Sequence, residues 1–156
     1  MGELVTALLD KLKALSNLQT VLIWNNQFDY IQEGASYTFA MPSCFVEVVP
    51  EMFGDLGAGN QGVDLDINIH LGMDFYNGAN LDDNTNIFDL RDLLVKHLYG
   101  FKPTEGGVMI KVKEEQDFNH SNVYHYIVSY KIHYIDSTTK REEFYTVAPT
   151  QLNITT

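Results

Sequence analysis

Residues 63–76 read VDLDINIHLGMDFY. Val63, Leu65, Ile67, Ile69, Leu71, Met73 and Phe75 alternate without error against Asp64, Asp66, Asn68, His70, Gly72, Asp74 and Tyr76. A strict period of two sends the first set to one face of an extended chain and the second set to the other. One dry face and one wet face mark a long strand of an antiparallel sheet. Residues 123–135 repeat the pattern, with Tyr124, Tyr126, Val128, Tyr130, Ile132 and Tyr134 on one face and Val123, His125, Ile127, Ser129, Lys131, His133 and Ile135 on the other. At about 3.3 Å per residue, roughly thirteen residues of strand span about 43 Å, whereas a domain of this size is about 40 Å across. Strand ends or hairpin tips are therefore expected to project, and projecting hairpins expose edges that can pair with another chain.

Working outward, the other segments supply what covers the dry face. Leu4, Leu8, Leu12 and Leu15 form a helical stripe widened by Val5 and Leu9, predicting a helix at about 3–16. Ile87, Leu90, Leu94, His97, Leu98 and Phe101 form a second stripe, predicting a helix at about 86–100. Thr85 or Asn86 would cap its start, Lys96 and His97 suit its last turn, and Gly100 would stop it. Residues 20–32 read as a strand that turns at 33–36 and returns at 37–39, with Pro42 interrupting before a short buried strand at 44–49. Residues 50–62, with Gly54, Gly57, Gly59 and Gly62, read as a long flexible loop. Val108, Ile110 and Val112 start a strand that pairs with 123–135 across an acidic tip at 114–122. The sum is an α+β domain, mostly antiparallel, in the order α-β-β-β-β-α-β-β. It is one domain over 1–156, with 136–156 as a C-terminal extension holding a possible last strand around Phe144, Tyr145 and Val147.

Composition narrows the function classes. The 156 residues include 45% hydrophobic residues, nine Tyr and nine Phe, enough to bury one core and to exclude disorder. A formal net charge of -11 disfavours gripping nucleic acid, since such grip comes from Lys and Arg neutralising phosphates. The charge remains compatible with lining a passage through which DNA slides. Cys44 is the single cysteine, so no intrachain disulfide and no Cys-based zinc site can form. No apolar stretch reaches membrane-spanning length and no signal-peptide layout opens the chain. A loose myristoylation pattern at 2–6 lacks a second anchor, and the sequons at Asn119 and Asn153 lack a secretory context.

No catalytic constellation stands out. Asp64, Asp66, Asn68 and His70 share a strand face about 7 Å apart between neighbours, and a metal-dependent hydrolase using Asp64, Asp66 and His70 is the enzyme alternative. Their other reading is the solvated face of a sheet. His125 and His133 share a face but lie about 26 Å apart along the strand, too far for one ion. Cys44 sits in an apolar strand, which predicts a buried, inert thiol. The 50–62 glycines match no phosphate-binding spacing. A generic α+β protein-binding module shares the composition.

The layout carries a resemblance. In the order helix, hairpin, the strand with Pro42, Ser43, Cys44, Phe45, Val46 and Glu47, the alternating 65–75 strand, the 87–101 helix and the 123–135 strand, the chain resembles the tail-terminator and tail-completion proteins of tailed bacteriophages, over about residues 1–135. The resemblance implies a non-enzymatic virion protein, made in the host cytoplasm, that forms a hexameric or dodecameric ring at the head-tail junction. DNA would pass through the ring unbound, and neighbouring neck, portal-side or tail-tube proteins would be partners. It brings no catalytic residue, cofactor, metal or membrane contact. Docking would fall to the 51–61 loop, through Glu51, Met52, Phe53, Asp55 and Gln61, and to the tip, through Glu114, Glu115, Asp117, Phe118 and His120. Asp82 and Asp83 would face the channel. The stretch after Ile135, including Lys140, Arg141, Glu142 and Glu143, does not align with the pattern.

Overall fold

The computed structural model describes residues 1–29, 31, 38–74, 86–103, 107–120 and 123–138. It has helix α1 (Gly2–Lys13), strands β1 (Thr20–Ile23), β2 (Ser43–Gly57) and β3 (Asn60–Asp74), helix α2 (Asn86–Leu98), and strands β4 (Ile110–Asp117) and β5 (Val123–Asp136). The five strands form one sheet in the order β1-β2-β3-β5-β4, antiparallel except for β1 against β2. The class is α+β.

The alternation read from the sequence sets the faces. Val63, Leu65, Ile67, Ile69 and Leu71 are fully buried beneath the helices, and Tyr134, Ile132, Tyr130, Val128 and Tyr126 stand opposite them in register on β5. Leu4, Leu8 and Leu12 of α1 and Ile87, Leu90, Leu94 and Leu98 of α2 close this layer. Burial of such side chains contributes about 1.5–3 kcal/mol each, so this layer holds most of the fold's stability. The helices are linked by the His97 Nε2–H, which donates to the Lys11 carbonyl at 2.6 Å. Gly100, at φ 68, ends α2 in the left-handed conformation that favours glycine. Within this layer the Tyr130 hydroxyl is buried without a hydrogen-bond partner, and burial pushes its pKa up to about 12. Tyr130→Phe removes that unpaired group and is expected to leave stability unchanged or to raise it by about 1 kcal/mol in urea unfolding. A loss of that size would instead reveal a hydrogen bond at this hydroxyl.

Two segments differ from their sequence reading. Of the expected hairpin over 20–32 and 37–39, the described residues hold a four-residue strand, Thr20–Ile23, pairing in parallel with Ser43–Val46, and no return strand at 38–39, one strand fewer than expected; the expected turn at 33–36 lies outside the described residues. The chain leaves the sheet because Gln27 ties Asn25 N–H (2.7 Å) and the Ile23 carbonyl (2.7 Å) into a local turn, with Asn26 at φ 53. Trp24, Phe28, Ile31, Phe39 and Met41 then fold over the sheet's second face and pack with Phe45 and Val123.

The expected flexible loop at 50–62 is a hairpin. β2 and β3 pair from Ser43 with Gly72 out to Gly57 with Asn60, around a two-residue turn in which Ala58 (φ 52) and Gly59 (φ 75) both take positive φ, as in the turn type that matches strand twist. Register shifts at Pro50/Met52 and Asp55/Gly57 absorb extra residues as bulges. Likewise, Glu114–Asp117 belong to β4 rather than to a tip. α1 and α2 end at Lys13 and Leu98, a turn or less short of their expected limits. Residues 75–85, Lys140 to Glu143 and the possible strand near Phe144 lie outside the described residues.

Candidate functional site: open sheet edges and a histidine cluster

Among the described residues, the long strands leave both sheet edges open. β1 covers β2 only from Ser43 to Val46, so among the described residues the rest of β2 has no strand on its outer side. Its residues 49–57 are all exposed, and they include Met52 (69% exposed), Phe53 (55%) and Leu56 (55%). Pro50 fits here because an edge strand does not need its missing N–H. At the opposite end of the sheet, β4 is the other edge, with Ile110 and Val112 exposed beside Val108.

The residues expected to dock divide in two. Met52, Phe53 and Phe118 point apolar surface outward, and Gln61 and Glu115 are exposed. Asp55 accepts the Gly57 N–H at 2.8 Å and holds the turn, while Glu51 pairs with Lys131 at 2.6 Å. Glu114 is committed within the chain: Arg91 donates to it through Nε (2.9 Å) and Nη2 (2.5 Å), joining α2 to β4, and Tyr126 donates at 3.1 Å. These partners outweigh burial and hold the Glu114 carboxyl below the usual range. Asp117 and His120 turn inward to the cluster described below. Asp82 and Asp83 lie outside the described residues.

The hydrolase trio is dispersed along β3. Asp64 pairs with His133 (2.8 Å), Asp66 lies 3.5 Å from Lys131, and His70 is buried on the far side of Asn68. Six strand residues separate Asp64 from His70, about 20 Å, so they share no ion. Cys44 is fully buried and burial pushes its thiol far above its ordinary pKa, as expected of an inert cysteine.

What the sequence did not reveal is a histidine cluster across the sheet. β3 and β5 place Gly72 opposite His125, which brings His125 diagonally beside His70. His70 Nδ1 and His125 Nε2 are 2.9 Å apart, His70 Nε2 is 3.4 Å from Glu47 Oε2, and His125 Nδ1 is 3.2 Å from Asp117 Oδ2. His120 Nε2 lies 3.4 Å from the same Asp117 oxygen, and its Nδ1 lies 3.6 Å from Asp29 Oδ1. Trp24 stacks flat on His70 at 4.1 Å, and Phe28 stands edge-on to His125 at 4.8 Å. Burial lowers the pKa of both histidines, that of His125 to about 4, with each histidine's neighbours adding to or opposing the effect. Burial would raise Asp117, but the Asn119 amide and the two histidines outweigh it and the net shift is downward.

The chain matches no protein-family model and no curated protein. Among the described residues, no helix is long and apolar enough to cross a membrane. The geometry of edges and cluster therefore carries the functional reading.

Proposed function

We propose that this chain is a structural subunit of a homo-oligomeric ring, hexameric or dodecameric, at the head-tail junction of a tailed bacteriophage, around the DNA channel. The observation that carries the assembly is the pair of open edges on opposite sides of one sheet, each bearing exposed apolar side chains. The β2 edge of one copy set against the β4 edge of the next is a head-to-tail contact, and head-to-tail contacts close into rings when the rotation between copies divides a full turn. The backbone groups of each edge would be satisfied by the neighbour, and Met52, Phe53 and Leu56 would be covered. The phage location rests on the resemblance in layout, and the net charge of -11 suits a channel that DNA must traverse without sticking.

Electron microscopy of the purified full chain, with its mass by sedimentation, tests the reading. A closed ring of six or twelve copies with an open centre is the expected result. A chain that stays monomeric through the concentrations used for such grids overturns it and favours the protein-binding module.

A further inference from the structure

We propose that Asp117, His120 and His125 form a binding site for one divalent cation of the zinc type. One ligand atom from each of the three lies within 4.8 Å of the others. The Asp117 Oδ2 distances, 3.2 Å to His125 Nδ1 and 3.4 Å to His120 Nε2, match two edges of a tetrahedron, about 3.3 Å, around an ion with bonds of about 2.0–2.1 Å, and binding would draw the two histidine nitrogens together to complete the third. Two imidazole nitrogens and a carboxylate oxygen suit zinc better than magnesium or calcium, which prefer oxygen ligands throughout.

The second observation is an unpartnered atom. His125 is 1% exposed, and its Nδ1 has no hydrogen-bond partner, because Asp117 is near but out of line for one. A cation seated between His125 Nδ1 and the Asp117 carboxylate, within reach of both, would give that buried nitrogen a partner.

The same arrangement supplies the outer support that metal-binding histidines normally have. Behind His125 stands His70, then Glu47, which also accepts from Asn68 Nδ2 at 2.6 Å. Behind His120 stands Asp29. An ion here would tie the end of β4 and the residues after it to β5, and through Asp29 to the segment that carries Trp24 and Phe28. Three protein ligands leave the fourth tetrahedral position to water.

The test is zinc titration of the untagged full chain, stripped with a chelator, by calorimetry and by competition with a chromophoric chelator. One ion per chain with a Kd of about 1 μM or tighter is expected, and cobalt in its place should give the intense visible absorption of a tetrahedral centre. His120→Ala should weaken binding about 100-fold or more with an unchanged circular dichroism spectrum, and Glu47→Gln about 10-fold. His133→Ala, at the far end of the sheet, should change nothing. Should His120→Ala not fold, Asp117→Asn carries the comparison. No binding, or affinity that survives both His120→Ala and Asp117→Asn, overturns the proposal.

Discussion

Gly72→Ala is expected to destabilise the chain by about 3 kcal/mol, lowering the melting temperature by about 9 °C. Gly72 lies on β3 between Ser43 of β2 and His125 of β5, on the face away from the helices. A Cβ there would come within 2.7 Å of Phe28 Cε1, closer still to Phe28 Cζ, and within 2.8 Å of Ser43 Oγ. Neither neighbour can yield easily. Ser43 is fully buried with its hydroxyl on Met41 Sδ at 3.1 Å, and the Phe28 ring is wedged against Trp24, Phe39, Phe45 and His125. Expelling Phe28 uncovers His125 and loosens Trp24, the single tryptophan, whose fluorescence should shift to longer wavelength. Gly54→Ala serves as control, since its Cβ would meet nothing nearer than the Gly62 carbonyl at 4.0 Å. Equal melting temperatures for the two variants would show that the Phe28 cover adds little to the fold.

The second large effect concerns assembly. The triple replacement Met52→Asp, Phe53→Asp and Leu56→Asp should abolish the proposed ring while leaving the melting temperature of the monomer within a few degrees. All three side chains are exposed in the single chain, so little folding energy depends on them. Covering them at an interface would contribute about 1.5–3 kcal/mol each, and losing even about 4 kcal/mol in total weakens each contact about a thousandfold. The head-to-tail arrangement makes a sharper forecast. A chain carrying Ile110→Lys and Val112→Lys should also fail to close, yet mixing it with the triple variant should yield heterodimers, because each keeps one sound edge. Size-exclusion chromatography with light scattering reads all three states. Intact rings from the triple variant would remove the β2 edge from the interface.

The sequence was legible where burial is regular. Residues 63–74 and 123–136 alternate because one face meets helices along its whole length, and both strands and their faces could be read from that alternation alone. The arm at 49–57 could not, because exposed edge residues carry no periodic burial, and Pro50, Gly54 and Gly57 give it a loop's composition. Its strand character comes from pairing with β3, a partner that local composition does not name. Distance along one strand sets His125 and His133 far apart but says nothing of the approach of His70 to His125 across the sheet. A signal was present: His70 and His125 each sit on the otherwise wet face of a long strand, and pairing those strands can set them side by side.

Periodicity is a local record of which side chains leave water, and the class, the dry face of the sheet and its two helical covers are written in it. That the glycine-rich stretch pairs as a hairpin, and that Asp117, His120 and His125 converge, is settled between strands. Both depend on register between strands, and register is set by pairing and by the aromatic cover of Trp24 and Phe28, interactions between residues far apart in the chain.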